Sequence, residues 1–539
     1  MAELLANPLT IVAGVVMALS ALVAGGWTIG LAPGARTSPD EDAVRRIARN
    51  SAVPIASQFV VRMIDLAVAI VILRLLGPEG NGRYALAVIV WLYVKTVSDF
   101  GLSLLATRDV ARDPDSAGQV TGVTTLMRLV VLGGASVLAG GYLAAGYLTG
   151  DLAGDTVLAA LLLLASIIPS SFTEAVNSAL NGLERMTVAA WLNVTVSVAR
   201  APLVVLLAAS SLEVVGVAVA ALVASVASAA LYARAYRLLI AVPIVWRLDR
   251  RTAAGLARES WPLLTGALLV NLFFRVDVFI VQSFRGDRAL GLYDAAYKLI
   301  NLVTIIPSYV TLAIFPALAV RGGDLVQLRR VQRLAVYLLV WIAWGIVAVV
   351  TGGAELAIRV LAGQDYLPEA AILLQILILF APLSFLNGIV QYVLVAMNEQ
   401  RRIVPVFALA VAFNLTANLL LVPHFGARAA AGVTVATELV IFAAFLIATH
   451  RTAMPLRPGD LGRLWRPTLA GAGGALTGLL IAAEAGALAG ATSAGIVFVL
   501  VSLATRVVGS EERGIIARAL GRAQAGTAED TQPMRSGQP

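Results

Sequence analysis

Long apolar runs separated by short polar turns dominate this chain. Fourteen of them fall at 51–76, 82–107, 120–149, 154–180, 184–209, 213–236, 259–285, 289–318, 331–354, 369–397, 401–423, 428–449, 466–487 and 491–508, and a further run, 8–31, precedes them. About 20 apolar residues at 1.5 Å per residue cross the hydrocarbon of a bilayer as a helix. The pattern therefore predicts an all-α polytopic membrane protein. The loops between runs are short, the longest on the expected outer side running from about Glu355 to Glu369. No outer catalytic domain fits there, and the chain is not expected to be an enzyme.

Basic residues orient the runs. Twenty-eight fall in alternate loops and the two basic flanks, from Arg36 to Arg535, against six in the intervening loops: Arg74, Arg83, Arg285, Arg288, Arg359 and Arg428. The rich side is cytoplasmic by the positive-inside rule. That places the start of the fourteen-helix core and the carboxyl terminus in the cytoplasm, and Met1 outside if 8–31 spans. This first run lacks a basic leader and follows Glu3, which favours an extra amino-terminal helix, or an over-long predicted start, over a cleaved signal peptide. The tail from Glu511 to Pro539 is rich in polar residues, Gly and Pro and reads as disordered apart from a short helix near 512–523.

The runs also repeat. GPEGNGRY (77–84) and GDRALGLY (286–293) share G-x4-G-x-Y at an offset of 209 residues. PSSF (169–172) matches PLSF (382–385), Asn193-Val-Thr195 matches Asn414-Leu-Thr416, and GVAVAALVA (216–224) matches GVTVATELV (432–440), in order and at nearly the same offset. An even number of helices per unit puts both copies in the membrane the same way round, as in parallel-repeat transporters. The expected organisation is an extra helix and basic segment over 1–50, a six-helix lobe over 51–240, a cytoplasmic linker over 241–257, a second six-helix lobe over 258–452, a helix pair over 453–508 and a cytoplasmic tail over 509–539.

Composition narrows the chemistry. With 59% hydrophobic and 13% charged residues the chain stands apart from average soluble proteins, at roughly 45–50% and 25%. The formal charge of +8 reflects topology and gives no reason to expect nucleic acid. There is no cysteine, and His424 and His450 stand alone, so neither a disulfide framework nor a metal site is expected, and no cofactor. Neither of the two lysines, Lys95 and Lys298, follows a glycine, which rules out the G-x4-G-K-[ST] loop of an ATPase.

What remains is charge inside the apolar runs. Placing Arg or Asp at a helix centre costs roughly 2.5–3.5 kcal/mol on insertion scales, so such residues face a bundle interior or a watery cavity. The first helix carries Gln58, Arg62 and Asp65 at i, i+4, i+7, and the second Lys95, Asp99 and Ser103 on one face. The seventh carries Asn271, Arg275 and Gln282 with Asp277 beside them, and the eighth Asp294, Lys298 and Asn301. Arg128 and Arg200 add positive charge, Glu174 and Glu438 negative. One account makes Arg62 with Asp65, Lys95 with Asp99 and Asp294 with Lys298 local ion pairs. The other gathers Arg62, Lys95, Arg275 and Lys298 into a cationic cleft between lobes that suits an anionic substrate. Asp65, Asp99, Asp277, Asp294 and Glu174 are the carboxylates that could bind a coupling proton or sodium ion. Asn177, Asn193, Asn414 and Asn418 are expected to hydrogen-bond across helices, and Pro202, Pro307 and Pro382 to bend theirs.

The segment LLGPEGNGRYALAVIVWLYVKTVSDFGLSLLATRDVAR, with its L-G-x-E-x-x-G-x-Y core, D-F-G-L and T-R-D, and the later NGLERM (181–186), resemble the signature of Wzx-type polysaccharide flippases of the multidrug/oligosaccharidyl-lipid/polysaccharide exporter superfamily. The resemblance covers roughly residues 50–510. It implies fourteen helices in two lobes that carry a polyprenyl-pyrophosphate-linked oligosaccharide from the cytoplasmic to the outer leaflet by alternating access. It also implies basic cavity residues that meet the pyrophosphate, here Arg62, Lys95, Arg275 and Lys298. The final helix pair would line a groove for the lipid tail. The implied partners are an anionic lipid-linked oligosaccharide, membrane lipids and other polysaccharide-assembly proteins, in a bacterial or archaeal plasma membrane. The extra amino-terminal helix departs from the family pattern, and the charges of the two lobes do not align residue for residue. A multidrug or cation antiporter, which would favour an acidic cavity, and a lipid II flippase are the alternatives.

Overall fold

The computed structural model describes residues 39–507 apart from positions 241, 249, 305, 308–324, 398, 451, 453 and 455–460. The expected helix at 8–31, the tail at 509–539 and the far end of the 289–318 run lie outside the described residues. Among those described there is no strand. The helices are α1 (Pro39–Asp99), α2 (Leu102–Arg112), α3 (Ala117–Thr149), α4 (Gly154–Gly182), α5 (Met186–Ala208), α6 (Glu213–Leu239), α7 (Arg250–Val303), α8 (Leu325–Leu361), α9 (Glu369–Leu377), α10 (Ala381–Ala396), α11 (Ile403–Phe425), α12 (Ala427–Thr449), α13 (Trp465–Ala485) and α14 (Ala487–Ala504). Ten stretches among the described residues are long and apolar enough to cross a membrane. The all-α membrane-spanning reading holds.

Two of the helices are bent hairpins. α1 breaks its helical dihedrals at Gly77 (φ 63°, ψ −177°) and α7 at Gly286 (φ 76°, ψ −178°), the first glycines of the two G-x4-G-x-Y matches. Only glycine adopts such a conformation without a steric penalty. The second glycines answer a different demand. A Cβ on Gly82 would fall 1.8 Å from the carbonyl oxygen of Asp287, and one on Gly291 would fall 1.7 Å from that of Pro78. The contact is reciprocal, and the two backbones cross where side chains would hold them apart. Asn81, fully buried, donates from Nδ2 to the Gly291 carbonyl at 3.1 Å and to Asp294 at 3.2 Å, and Arg83 donates to Asp287 at 3.3 Å.

The D-F-G-L match is a second break with a physical cause. Phe100 (φ 53°) and Gly101 (φ 73°) both turn left-handed between α1 and α2, while Leu102 is fully buried against Val123, Met127 and Leu256. A left-handed non-glycine residue costs on the order of 1–3 kcal/mol, and the anchors on either side hold it. Asp99 receives Arg128, and the following T-R-D match places Arg108 2.6 Å from Glu259, whose carboxylate, with that of Asp109, holds the guanidinium proton more firmly than usual.

Between α6 and α7 residues 242–248 form neither helix nor strand. They lie in a notch of α3: Gly118 and Gly122 have no side chain, and a Cβ there would meet the carbonyl oxygens of Pro243 at 2.2 Å and Val245 at 2.1 Å. Trp246 stacks on Phe172, their ring centroids 6.2 Å apart. Pro382 begins α10 after a single 3-10 turn, Ile378–Phe380, that joins it to α9. Proline cannot supply the amide that would continue the helix there.

The described residues form two compact units. One takes those within Met1–Lys298, Ala357–Leu373 and Phe407–Val433; the other takes those within Leu299–Leu356, Leu374–Val406 and Thr434–Pro539. In the first, Tyr366 is buried and donates to the Leu73 carbonyl at 3.0 Å, and Arg285 donates to the carbonyls of Val422 and Pro423. In the second, α8, α13 and α14 approach closely through Gly352, Gly478, Gly490 and Ala494, and Trp341 donates to Ser502 at 3.1 Å. Its buried Glu438 accepts from Asn387 Nδ2 at 2.8 Å.

Candidate functional site

Two chambers open within the first unit. The first, of about 500 Å³, is bounded by α1, α4, α5, α6 and the end of α7, and its wall carries Lys95, Arg200 and Lys298 against one carboxylate, Asp65. Tyr84, Trp91 and the hydroxyls of Ser166, Ser170, Ser225 and Ser228 complete its polar surface. The second, of about 670 Å³, lies between α1, α4 and α5, with Gln58, Arg62, Asn177, Asn181 and Asn193 on its wall. Asp65 and Val196 line both.

Helical periodicity explains how single helices serve these chambers. Gln58, Arg62 and Asp65 form one stripe of α1, and Asn193, Ser197 and Arg200 form one of α5, each at i, i+4, i+7. The residues between them are apolar and build the core: Ile64, Val68 and Ile72 pack with Ala201, Val204 and Ala208.

The charges pair mostly between helices. Arg200 Nη2 lies 2.5 Å from Asp65 Oδ1, Lys95 Nζ 2.8 Å from Glu174 Oε1, and Arg128 Nη2 2.9 Å from Asp99 Oδ1. Of the three local pairs that spacing suggests, only Lys298 with Asp294 forms. Arg62 is left on the wall of the second chamber with no ion pair among the described residues. Arg128 is 1% exposed and is satisfied by Asp99, Ser103 and the Ser171 carbonyl, which makes it a structural member of the α1–α3–α4 contact. The Arg200 Nε and Trp91 Nε1 atoms, both buried, have no hydrogen-bond partner among the described residues.

Of the four cations that the sequence singles out, three reach a chamber. Lys95 also lies 5.0 Å above the Trp91 ring, and Lys298 reaches the first chamber from α7. Arg275 reaches neither; its guanidinium stacks 5.0 Å over Tyr297. Arg200 is the functional candidate that the sequence reading leaves aside, although its signal is there in the Asn193, Ser197, Arg200 stripe. Among the candidate coupling carboxylates, Asp65, Asp99, Asp294 and Glu174 are each held by a basic side chain, as above. Asp277 makes no ion pair among the described residues: it is buried, accepts from the Tyr293 hydroxyl, and its Oδ1 has no hydrogen-bond partner there. No group of three or more acidic or histidine side chains suited to a metal ion occurs among the described residues.

Comparison with known proteins adds the following. A family model described as "Polysaccharide biosynthesis protein" matches residues 47–320, and one described as MatE matches 262–420. No curated protein matches the chain. Among solved structures, a lipid II flippase, MurJ, in an inward closed conformation superposes with a TM-score of 0.64 at 13% identity, covering 88% of this chain and all of that one. A multidrug resistance MATE family transporter of the MOP superfamily, inward-facing, superposes with a TM-score of 0.55 at 15% identity, covering 72% of this chain and 94% of that one. At these identities the likeness is one of fold.

Proposed function

We propose, since the chain belongs to the polysaccharide biosynthesis protein family, that it is a Wzx-type flippase carrying a polyprenyl-pyrophosphate-linked oligosaccharide from the cytoplasmic to the outer leaflet for cell-surface polysaccharide assembly. The observation that carries this reading is the basic wall of the first chamber, where Lys95, Arg200 and Lys298 converge against one carboxylate, Asp65. A pyrophosphate can replace the carboxylates that now face these cations, because ion pairs next to a hydrated cavity exchange partners at small net cost. An organic cation would have to displace them against like charge. The MOP fold supports movement by alternating access of two lobes, 51–240 and 258–452. Asp277, the candidate carboxylate without a basic partner, is the group that could exchange a proton or sodium ion without breaking an ion pair. The protein would work in the plasma membrane of a bacterium or archaeon beside other polysaccharide-assembly proteins.

Vesicles reconstituted with the purified protein alone test this directly. A fluorescent undecaprenyl-pyrophosphate oligosaccharide should move between leaflets under an imposed proton or sodium gradient, and an organic cation such as ethidium should not accumulate. Movement of ethidium without the lipid-linked glycan would replace this reading with drug export. Orientation has its own check. The chain has no cysteine, so a single Trp246→Cys in the exposed part of the 242–248 strap provides a unique label. An impermeant maleimide should reach it only after intact cells are broken, and labelling from outside would invert the topology.

A further inference from the structure

We infer that the second chamber is a sugar-binding subsite, distinct from the cationic first chamber, in which side-chain carboxamides read the hydroxyl or acetamido groups nearest the pyrophosphate. The inference rests on the flippase reading above and adds to it where along the substrate each chamber binds. Four carboxamides, Gln58, Asn177, Asn181 and Asn193, face a space of about 670 Å³, well within the size of small-molecule pockets. Its two charged groups are Arg62 and Asp65, and Asp65 is already held by Arg200. A carboxamide offers two donors and an acceptor without charge, which is the complement a neutral, hydroxyl-bearing ring requires and a poor match for a phosphate or an organic cation.

The amides are not used up in holding helices together. Across α4, α5 and α6, the buried Tyr232 hydroxyl stands 2.8 Å from Oδ1 of Asn193 and 3.4 Å from Oδ1 of Asn177. That contact fixes which edge of each amide is occupied, and their Nδ2 groups have no protein partner among the described residues. Asn181 and Gln58 make no side-chain hydrogen bond among the described residues. Interhelical glue would pair such groups with one another; here three helices turn them toward one space. Apolar Val61, Ala189 and Ala190 lie between them on the same wall, a surface for the CH faces of a sugar ring. Because Asp65 and Val196 belong to both chambers, a pyrophosphate on Arg200 and Lys95 would place the first sugar at the mouth of the second chamber.

The test uses full-length protein in nanodiscs and two probes that differ only in the sugar: farnesyl pyrophosphate and farnesyl-pyrophosphoryl-N,N′-diacetylchitobiose. Wild type should bind the glycosylated probe about tenfold more tightly, the value of one or two neutral hydrogen bonds. Gln58→Ala/Asn181→Ala, which leaves the Tyr232 contacts in place, should bring the glycosylated probe down to the affinity of the bare one and leave the bare one unchanged. Wild type that binds both probes equally, or a variant that keeps the preference or loses both probes together, would overturn the subsite while leaving the flippase reading intact. Wild type that binds neither probe would overturn both.

Discussion

Arg62→Gln/Arg200→Gln lowers translocation of the lipid-linked oligosaccharide by about a hundredfold or more, with the protein still folded and inserted. The magnitude follows from the chemistry of the contact. Arg200 can place charge-assisted hydrogen bonds on the pyrophosphate and Arg62 on the oxygens of the first sugar, worth about 1.5–3 kcal/mol apiece, and two such losses multiply. Among the described chamber cations Arg62 makes no ion pair, and Arg200 pairs with Asp65. Folding is spared because both side chains border hydrated space: Asp65, deprived of its partner, is 42% exposed and can be solvated where it stands. Arg200→Lys separates geometry from charge, since an ammonium keeps the positive field but not the planar fork, and should fall between wild type and glutamine. Monodispersity in detergent and the rate in reconstituted vesicles are the two measurements. Transport at the wild-type rate by the double variant would remove the cavity from the mechanism.

The second large effect is expected at the crossing of the two bent hairpins. Gly82→Val/Gly291→Val puts a branched side chain where a single Cβ would already lie 1.7–1.8 Å from a backbone carbonyl. Nothing flexible can yield there, so the two backbones have to part by more than an ångström. The bonds from Asn81 to Gly291 and Asp294, and from Arg83 to Asp287, go with them. Asp294 also holds Lys298, so opening this end disturbs a cation of the first chamber. We expect transport to drop to background and the expected outer end to stand open. Tyr84→Cys reports the opening, because Tyr84 lines the first chamber just beyond the crossing. An impermeant maleimide added outside should label that cysteine in the glycine variant and spare it in the otherwise wild-type background. Gly133→Ala on α3, where an added Cβ meets open space, is the control and should transport normally. Unchanged labelling and transport in the valine variant would mean the crossing is packing and no more.

Several sequence matches have a direct structural counterpart. The G-x4-G-x-Y pair marks two glycine-hinged hairpins that cross reciprocally, and D-F-G-L marks a left-handed break anchored by Asp99 and Leu102. The glycine hinges are legible because they depend on backbone demands that few residue types meet; the break at Phe100–Gly101 is not, since it divides the run 82–107 that reads as one helix. The partners of the buried charges are not legible. Spacing along one helix places Asp65 within reach of Arg62, and Asp99 within reach of Lys95, yet Asp65 goes to Arg200 on α5 and Asp99 to Arg128 on α3.

By itself the sequence determined the all-helical membrane class, the approximate span of most helices and which face of each carries its polar groups, since these follow from composition and from the 3.6-residue period of a single helix; it did not show the breaks inside the runs 82–107 and 369–397. Tertiary structure alone decided which of those faces meet. It sent Arg275 onto Tyr297 and away from both chambers, brought Arg200 to the wall of the first chamber, and turned four carboxamides from three helices toward one space. Periodicity fixes the direction of a side chain about its own axis, but the rotation and neighbours of that axis are set by packing among residues far apart in the chain.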